Sequence, residues 1–308
     1  MRIVTLTVNP AVDKSTRVQH IVPDQKLRCE TPKYEAGGGG INVSRGLIRL
    51  GTNSTAVFPA GGRTGALLQE LLKKENVQQQ MVETVNETRE NFMVVDISGN
   101  QQYRFGIPGP EIEKKEADRF LILLKELSPQ LLVMSGSLPP GLEASFYAKI
   151  AYSLKPTGVK IIADTSGEAL QHAVDEGVFL LKPNLGELSK LVGSETLDNE
   201  LVDDAARELI RKGRCEVIVV SMGQRGAYMV SRDLAIHVQS PAVKKLSTVG
   251  AGDSMVAGMV HQLARGLSLQ EMIKMGVACG TAATMNPGTE LFKREDAERL
   301  YEWLMKQK

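Results

Sequence analysis

The sequence predicts an α/β protein: an open, mostly parallel sheet flanked by helices, with a small extra β sheet. Three observations lead there. Residues 131–135 (Leu-Leu-Val-Met-Ser), 160–164 (Lys-Ile-Ile-Ala-Asp) and 216–221 (Glu-Val-Ile-Val-Val-Ser) are continuous apolar runs, the pattern of strands covered on both faces. Helical stretches near 143–154, 168–176 and 199–212 alternate with them, and a β-α-β-α order calls for a parallel sheet with helices on both sides. The first 110 residues depart from that alternation and carry polar, turn-rich, short β-like pieces.

In chain order, residues 5–8 form a first strand, and residues 9–35 contribute short β pieces outside the βα repeat. Residues 91–97 and 101–107 flank Ser98-Gly99-Asn100, a hairpin signal. A small antiparallel sheet built from about 9–35 and about 87–110 follows from these, inserted into one α/β domain spanning 1–308. Arg211-Lys212-Gly213 places basic residues and then glycine at the end of the 199–212 helix, a sound stop signal. Phe179-Leu180-Leu181 and residues 227–230 read as further strands. Strands cease after residue 238, leaving helices over 254–265, 268–284 and 293–307.

The 308 residues carry 37 Lys+Arg against 36 Asp+Glu, and this near-neutral balance speaks against a general nucleic-acid binder. No apolar run approaches the ~20 residues a membrane helix needs. The first apolar stretch is too short for a signal peptide and no small-residue cleavage site follows it, so a cytoplasmic protein is expected. Cys29, Cys215 and Cys279 make no CxxC pair, and His20, His172, His237 and His261 make no metal-binding spacing.

Four strings carry chemistry. Ser247-Thr248-Val249-Gly250-Ala251-Gly252-Asp253-Ser254 opens an apolar helix, so bare N–H groups of 250–253 would form an anion pocket beside the Asp253 carboxylate. A carboxylate there takes a proton from a substrate hydroxyl while the pocket steadies a phosphoryl group; taken alone, the same letters fit a turn with a capping Asp. Ala36-Gly37-Gly38-Gly39-Gly40-Ile41-Asn42 is either a backbone cradle for a ligand, with Asn42 offering donor and acceptor to sugar hydroxyls, or a flexible loop. Lys182-Pro183-Asn184-Leu185-Gly186-Glu187 puts Asn184 and Glu187 on one helix face, as a hydrated Mg²⁺ site or as a capping box. Ser221-Met222-Gly223-Gln224-Arg225-Gly226 follows a strand, where open α/β sheets bind nucleotides and where a plain hairpin turn also fits. A P-loop and the protein-kinase motif set are both absent.

In this order, with Thr7-Val8-Asn9-Pro10-Ala11-Val12-Asp13 before them and Ser135-Gly136-Ser137-Leu138-Pro139-Pro140-Gly141 between them, the strings resemble the PfkB/ribokinase family of carbohydrate kinases from end to end. The resemblance implies a ribokinase-like core with a β lid, a lid-mediated homodimer, ATP and Mg²⁺ as cofactors, and a small-molecule sugar phosphate as partner, without nucleic acid or membrane. Lys26-Leu27-Arg28-Cys29, Gly37 to Gly40, Arg89, and Tyr103-Arg104-Phe105 before Pro108-Gly109 make the chain most similar to the hexose-phosphate kinases of that family, above all the minor, ATP-dependent 6-phosphofructokinases. The tagatose-6-phosphate and fructose-1-phosphate kinases usually carry Lys in the glycine loop where Gly39 stands, which favours fructose 6-phosphate.

The family's pattern implies that Asp13, Gly38, Gly39 and Asn42 hold sugar hydroxyls, with Ser137 nearby and Lys26, Arg28, Arg89 and Arg104 around the existing phosphate. It implies Asp253 as the base, with the amides of Gly250, Ala251, Gly252 and Asp253 holding the γ-phosphoryl group. Asn184 and Glu187 would position Mg²⁺ through water, and Lys182, Ser221, Gly223 and Gly226 would line the nucleotide site. Ser247, Val249, Ala283, Asn286 and Gly288 match a monovalent-cation (K⁺) site, although many relatives have Asp where Ser247 stands. The expected reaction is ATP-dependent conversion of a hexose phosphate into a bisphosphate. A tagatose-6-phosphate or fructose-1-phosphate kinase is the near alternative, and a non-catalytic sugar-phosphate or nucleotide sensor on the same fold is the remote one.

Overall fold

The computed structural model describes residues 1–194, 198 and 201–307. In chain order the strands are β1 (Ile3–Leu6), β2 (Ala11–Val18), β3 (Lys33–Gly37), β4 (Thr55–Ala60), β5 (Gln78–Glu83), β6 (Arg89–Asp96), β7 (Gln101–Phe105), β8 (Leu131–Ser135), β9 (Lys160–Asp164), β10 (Val178–Leu181), β11 (Cys215–Ser221), β12 (Ala227–Ser231) and β13 (Ala235–Val238). The helices are α1 (Gly39–Arg49), α2 (Gly62–Lys74), α3 (Lys114–Leu127), α4 (Phe146–Leu154), α5 (Gly167–Glu176), α6 (Leu185–Leu191), α7 (Val202–Arg211), α8 (Ala251–Ala264), α9 (Leu269–Thr284) and α10 (Arg294–Lys306). Among the described residues, no helix is long and apolar enough to cross a membrane.

Nine strands form the main sheet in the order β13-β12-β11-β10-β9-β8-β1-β4-β5. Among the described residues, pairing is parallel from β11 to β5 and antiparallel only at β11–β12 and β12–β13. The unbroken apolar runs have a simple cause. In β8, Leu131 and Val133 pack with the α1, α8 and α9 layer, whereas Leu132 and Met134 pack with Phe120, Tyr147 and Ile150 of α3 and α4 on the other face. Both faces of a central strand such as β8 meet helices, so both parities must be apolar, whereas the edge strand β5 is mostly exposed and polar.

The first strand begins two residues earlier than the sequence suggests and stops before Thr7. The 199–212 helix is α7; residues 199 and 200 lie outside the described residues.

The four-stranded second sheet has the order β3-β2-β6-β7. It corrects one expectation, because the sheet is mixed rather than antiparallel. Its two hairpin pairs, β2–β3 and β6–β7, are antiparallel, but β2 and β6 run parallel from Ala11↔Arg89 to Val18↔Asp96. The reason is connectivity. Strand β2 leaves the end of β1 and β6 leaves the end of β5, and β1, β4 and β5 share one direction, so both strands depart the same edge the same way.

Helices α1 and α8 lie unusually close. A Cβ on Gly46 would come within 2.7 Å of the Ala257 Cβ, so only glycine permits this approach. That contact fixes the spacing of the two helices on which the site is built.

Candidate active site

The apolar strands end in polar residues along one edge of the sheet. Thr7 follows β1, Ser135 ends β8, Asp164 ends β9, Lys182 follows β10 and Ser221 ends β11. This C-terminal edge is where open α/β sheets place ligands. Helix α1 begins here, with Ile41 N–H donating to Thr7 Oγ1 at 2.8 Å. A Cβ on Gly39 would collide with Ser135 Oγ, and one on Gly40 would come within 2.7 Å of the Leu6 carbonyl, so the glycine loop is a close-packed entry to α1 rather than slack chain.

Helix α8 begins at the same place. Asn42 Nδ2 donates to Asp253 Oδ2 at 2.9 Å. Four residues further along both helices lies the Gly46–Ala257 contact, so α1 and α8 run side by side in one direction and both N-termini converge on the Asn42–Asp253 pair. The first α8 bond is Ser254 N–H to the Gly250 carbonyl, and Ala251 N–H reaches only Thr248 O at 3.4 Å. The N–H groups of Gly252 and Asp253 have no protein acceptor among the described residues. With the positive ends of two helix dipoles meeting there, the place suits an anion.

Burial pushes the Asp253 carboxyl up to about 6; the Asp164 charge adds to this, and the Asn42 hydrogen bond and Lys182 oppose it. Lys182 Nζ lies 2.9 Å from Asp164 Oδ1 in a buried ion pair. Burial works to lower the Lys182 ammonium, but Asp164, Asp253 and Glu187 more than offset it and hold the lysine above its ordinary range. A Cβ on Gly252 would lie 3.6 Å from Lys182 Nζ, which places this cation at the mouth of α8.

The second sheet contributes one polar face. Bridge partners point to the same side of a sheet, so the pairs Ala11↔Arg89, Asp13↔Asn91, Asp13↔Glu35 and Met93↔Arg104 put Asp13, Arg89 and Arg104 on one face. Asp13 accepts from Asn91 Nδ2 at 2.9 Å, and burial raises its carboxyl above the usual range. Arg89 is already engaged: it donates to the carbonyls of Ile107 (2.8 Å), Asn9 (3.0 Å) and Pro10 (3.3 Å), so two of its five N–H groups stay free among the described residues. Arg104 is exposed and touches Gln102. Lys26 and Arg28 sit exposed in the loop between β2 and β3, outside any ion pair among the described residues. Ser137 Oγ accepts from Asn9 Nδ2 at 3.1 Å.

On the other side, Asn184 caps α6, and both halves of a capping box are made: Glu187 N–H to Asn184 Oδ1 at 2.9 Å, and Asn184 N–H to Glu187 Oε2 at 2.8 Å. Glu187 keeps its second oxygen free of this box. Ser221 N–H donates to the Pro183 carbonyl at 2.9 Å, drawing that turn against the end of β11. Gly223 opens the 3-10 turn Gly223–Arg225, and Gly226 closes it into β12, so the string is the hairpin turn as well as the sheet-edge loop.

Ser247 Oγ donates to the Gly288 carbonyl at 2.8 Å and accepts from Val249 N–H at 3.2 Å. Asn286 Nδ2 donates to the carbonyls of Ala282 and Leu291, and Ala283 is buried beside it. These five residues are drawn together by side chains that tie main-chain carbonyls, and Ser247 and Gly288 already satisfy each other. A cleft of about 1340 Å³ runs along the opposite edge, at the starts of β9, β10 and β11, and holds none of the groups above.

Sequence reasoning assigned no role to Asp164 or Arg45. The signal for Asp164 was a carboxylate closing an otherwise apolar parallel strand, where only a partner or a ligand justifies a charge. Arg45 offered no comparable signal, because an arginine in an amphipathic helix ordinarily faces water.

The chain matches the pfkB family carbohydrate kinase model over residues 4–296. The chain belongs to this family of carbohydrate kinases. The kinase is 44% identical to the ATP-dependent 6-phosphofructokinase isozyme 2 of Escherichia coli (strain K12), over 99% of each chain. It is 32% identical to the 1-phosphofructokinase of Bacillus subtilis (strain 168) over 95% of this chain and 96% of that one, and 33% identical to a tagatose-6-phosphate kinase of Staphylococcus epidermidis over 93% of each. Crystal structures of the E. coli phosphofructokinase-2 superpose on it over 99% of each chain: the potassium complex with a TM-score of 0.96 and 43% identity, the fructose-6-phosphate complex with 0.94 and 41%, and a tetrameric inhibited form with 0.93 and 42%. The kinase therefore shares the ribokinase-like α/β architecture of that family.

Proposed function

We propose that this kinase transfers the γ-phosphoryl group of ATP to fructose 6-phosphate, forming a hexose bisphosphate. The observation that carries the reading is the Asn42–Asp253 pair at two converging helix N-termini. A base and an anion pocket share one point, as transfer from a triphosphate to a hydroxyl requires. The 44% identity to 6-phosphofructokinase isozyme 2, against 32–33% for the 1-phosphofructokinase and the tagatose-6-phosphate kinase, favours fructose 6-phosphate.

In this reading Asp253 uses its Oδ1, free of Asn42, to accept the proton of the attacking sugar hydroxyl. The hydroxyl oxygen bonds to the γ-phosphorus as the β–γ bridging bond breaks, and ADP leaves. The N–H groups at the start of α8 and Lys182 receive the charge of the moving phosphoryl group. Positioning and charge neutralisation supply most of the catalysis of such loose transition states. Asp13 and Asn42 hold sugar hydroxyls beside Gly38 and Gly39; Arg104, Lys26, Arg28 and the free N–H groups of Arg89 face the existing phosphate; Ser221, Gly223 and Gly226 border the nucleotide. The free oxygen of Glu187 fits a largely hydrated Mg²⁺, and Asn184 holds that Glu in place. When bound, Mg²⁺ neutralises phosphate oxygens of the nucleotide. For a monovalent cation the residues fit through main-chain carbonyls of the 247–249 and 283–288 segments, with Ser247 supplying no carboxylate.

The second sheet serves as lid and as dimer interface. Register gives it a second, aromatic face, with Lys14, Tyr34, Phe92 and Phe105 on one cross-strand row and Val94 and Tyr103 on the next but one. Phe105 is 53% exposed and Tyr34 and Tyr103 are 37% exposed, which suits a second copy seated on that face. Phe105→Glu should shift the protein from dimer to monomer in sedimentation velocity at micromolar concentration, and an unchanged dimer would place the interface elsewhere. Three free cysteines, one of them exposed, agree with a reducing cytoplasmic setting.

Substrate choice is tested by measuring kcat/KM for fructose 6-phosphate, tagatose 6-phosphate and fructose 1-phosphate with coupled detection of ADP. Fructose 6-phosphate should exceed the others by at least about tenfold, a difference of 1.4 kcal/mol in transition-state binding. A higher value for fructose 1-phosphate or tagatose 6-phosphate overturns the assignment; no ADP release with any sugar phosphate leaves only a sensor.

A further inference from the structure

Arg45 is 2% exposed and sits one helical turn after Asn42 on α1. Its guanidinium spans three elements. Nε donates to both oxygens of Glu75 at 2.9 Å, and Nη2 lies 2.8 Å from Glu75 Oε1 at the end of α2. Nη1 donates to the Ala36 carbonyl of β3 at 2.7 Å and to Asn42 Oδ1 at 3.2 Å, while Nη2 lies 3.7 Å from Glu35 Oε1. Glu35 in turn accepts from Thr289 Oγ1 at 2.6 Å and lies 3.5 Å from Lys33 Nζ.

The chemistry of these groups settles how the Asn42 amide is turned. A guanidinium can only donate, so the atom facing Arg45 must be the amide oxygen. An ionised carboxylate can only accept, so the atom facing Asp253 must be the amide nitrogen. The two requirements agree, and Arg45 is the group that enforces them before any substrate arrives. With Nδ2 bound to Oδ2, the other oxygen of Asp253 is left for the substrate.

We propose that Arg45 is a positioning residue for phosphoryl transfer: held by Glu75 and the β3 strand, it locks the Asn42 amide so that Asp253 is hydrogen-bonded on one oxygen and open on the other. It also ties the second sheet to the base, because Ala36 and Glu35 are β3 residues. The inference rests on Asp253 acting as base. Lysine cannot replace arginine here, since a single ammonium cannot reach Glu75, Ala36 O and Asn42 in a planar fork.

The charged groups around Asp253 are Asp164 of β9, Lys182 after β10 and Asp13 of β2, and all remain when Arg45 is changed. An unlocked amide that turns its oxygen toward Asp253 removes the hydrogen bond favouring the ionised form, so the acidic limb of kcat/KM must move to higher pH. The test compares Arg45→Lys and the double variant Arg45→Met/Glu75→Gln, which removes both partners of the Arg45–Glu75 ion pair and leaves Glu35 with Lys33 as its cation. In folded protein, checked by circular dichroism, the limb should rise by about one pH unit, the size of one charge-assisted hydrogen bond, and kcat should fall about tenfold. KM for ATP should stay within about twofold of wild type, as it reflects nucleotide binding on the far side of the site. A folded variant of either kind with an unmoved limb and normal kcat overturns the proposal, even if its melting temperature drops. Asp253→Asn is measured alongside. If it keeps turnover, the base assignment itself fails; if it loses turnover while the Arg45 variants behave as wild type, only the role of Arg45 fails.

Discussion

Asp253→Ala should lower kcat by at least about 10²-fold, the low end of what a positioned base contributes, while ATP still binds. With Asp253 as the proposed base, the same carboxyl should make the wild-type enzyme pH-dependent. Its folded value of about 6 means that kcat/KM should rise as pH passes through about 6 and level off above. Stability should run the opposite way. The folded carboxyl holds its proton up to about 6, whereas an unstructured aspartate releases it near 3.8. Between those values the native state binds more protons, so stability falls as pH rises and stays low above the window. Asp253→Asn removes that charge and should raise unfolding stability at pH 8 by on the order of 3 kcal/mol, with no gain below pH ~4. A variant both slower and more stable at pH 8 is the signature of a base held under strain for function. Normal turnover in Asp253→Ala, or a pH profile flat through 5–7, would remove Asp253 from that role.

Lys182→Met should do comparable damage by another route. It leaves Asp164 buried without its cation, and breaking such a pair costs about 3–5 kcal/mol. It also takes away a charge that opposes the rise of the Asp253 carboxyl, so the acidic limb of any residual activity should lie above that of wild type. Urea unfolding and a pH–rate profile read the two effects separately. The double variant Lys182→Met/Asp164→Leu exchanges both charges for apolar groups and should recover most of the stability without recovering kcat, because the cation at the mouth of α8 is still gone. An unchanged unfolding midpoint in Lys182→Met would show that the pair contributes nothing to the fold.

The sheet-edge location of the candidate site was legible in advance because the two kinds of signal coincide. A run such as Leu131–Met134 announces a strand covered on both faces, and the polar residue that ends it marks the edge. Gly250 and Gly252 before an apolar helix announce bare amides. What the same letters left open was whether Asn184 and Glu187 cap a helix or hold a metal. They cap α6, and one Glu187 oxygen remains beyond the cap. The parallel β2–β6 pair was illegible for a related reason. Each hairpin carries its own turn signal, but the meeting of two strands about 70 residues apart is set by which edge of the main sheet they leave, and no local pattern encodes that.

Local chemistry written in the chain thus determined the elements and the family, and it singled out Asp253 and its helix-opening glycines as the proposed base and anion pocket, since periodicity, turn residues and helix-opening glycines act over a few neighbours. Tertiary structure alone decided that Asn42 reaches Asp253 across 211 positions, that Asp164 closes on Lys182, and that Asp13, Arg89 and Arg104 share one face. Those facts depend on how closely α1 and α8 approach at Gly46 and on the direction in which strands leave a sheet. Both are properties of packed bodies, and burial converts them into the charges and proton affinities on which the proposed reaction depends.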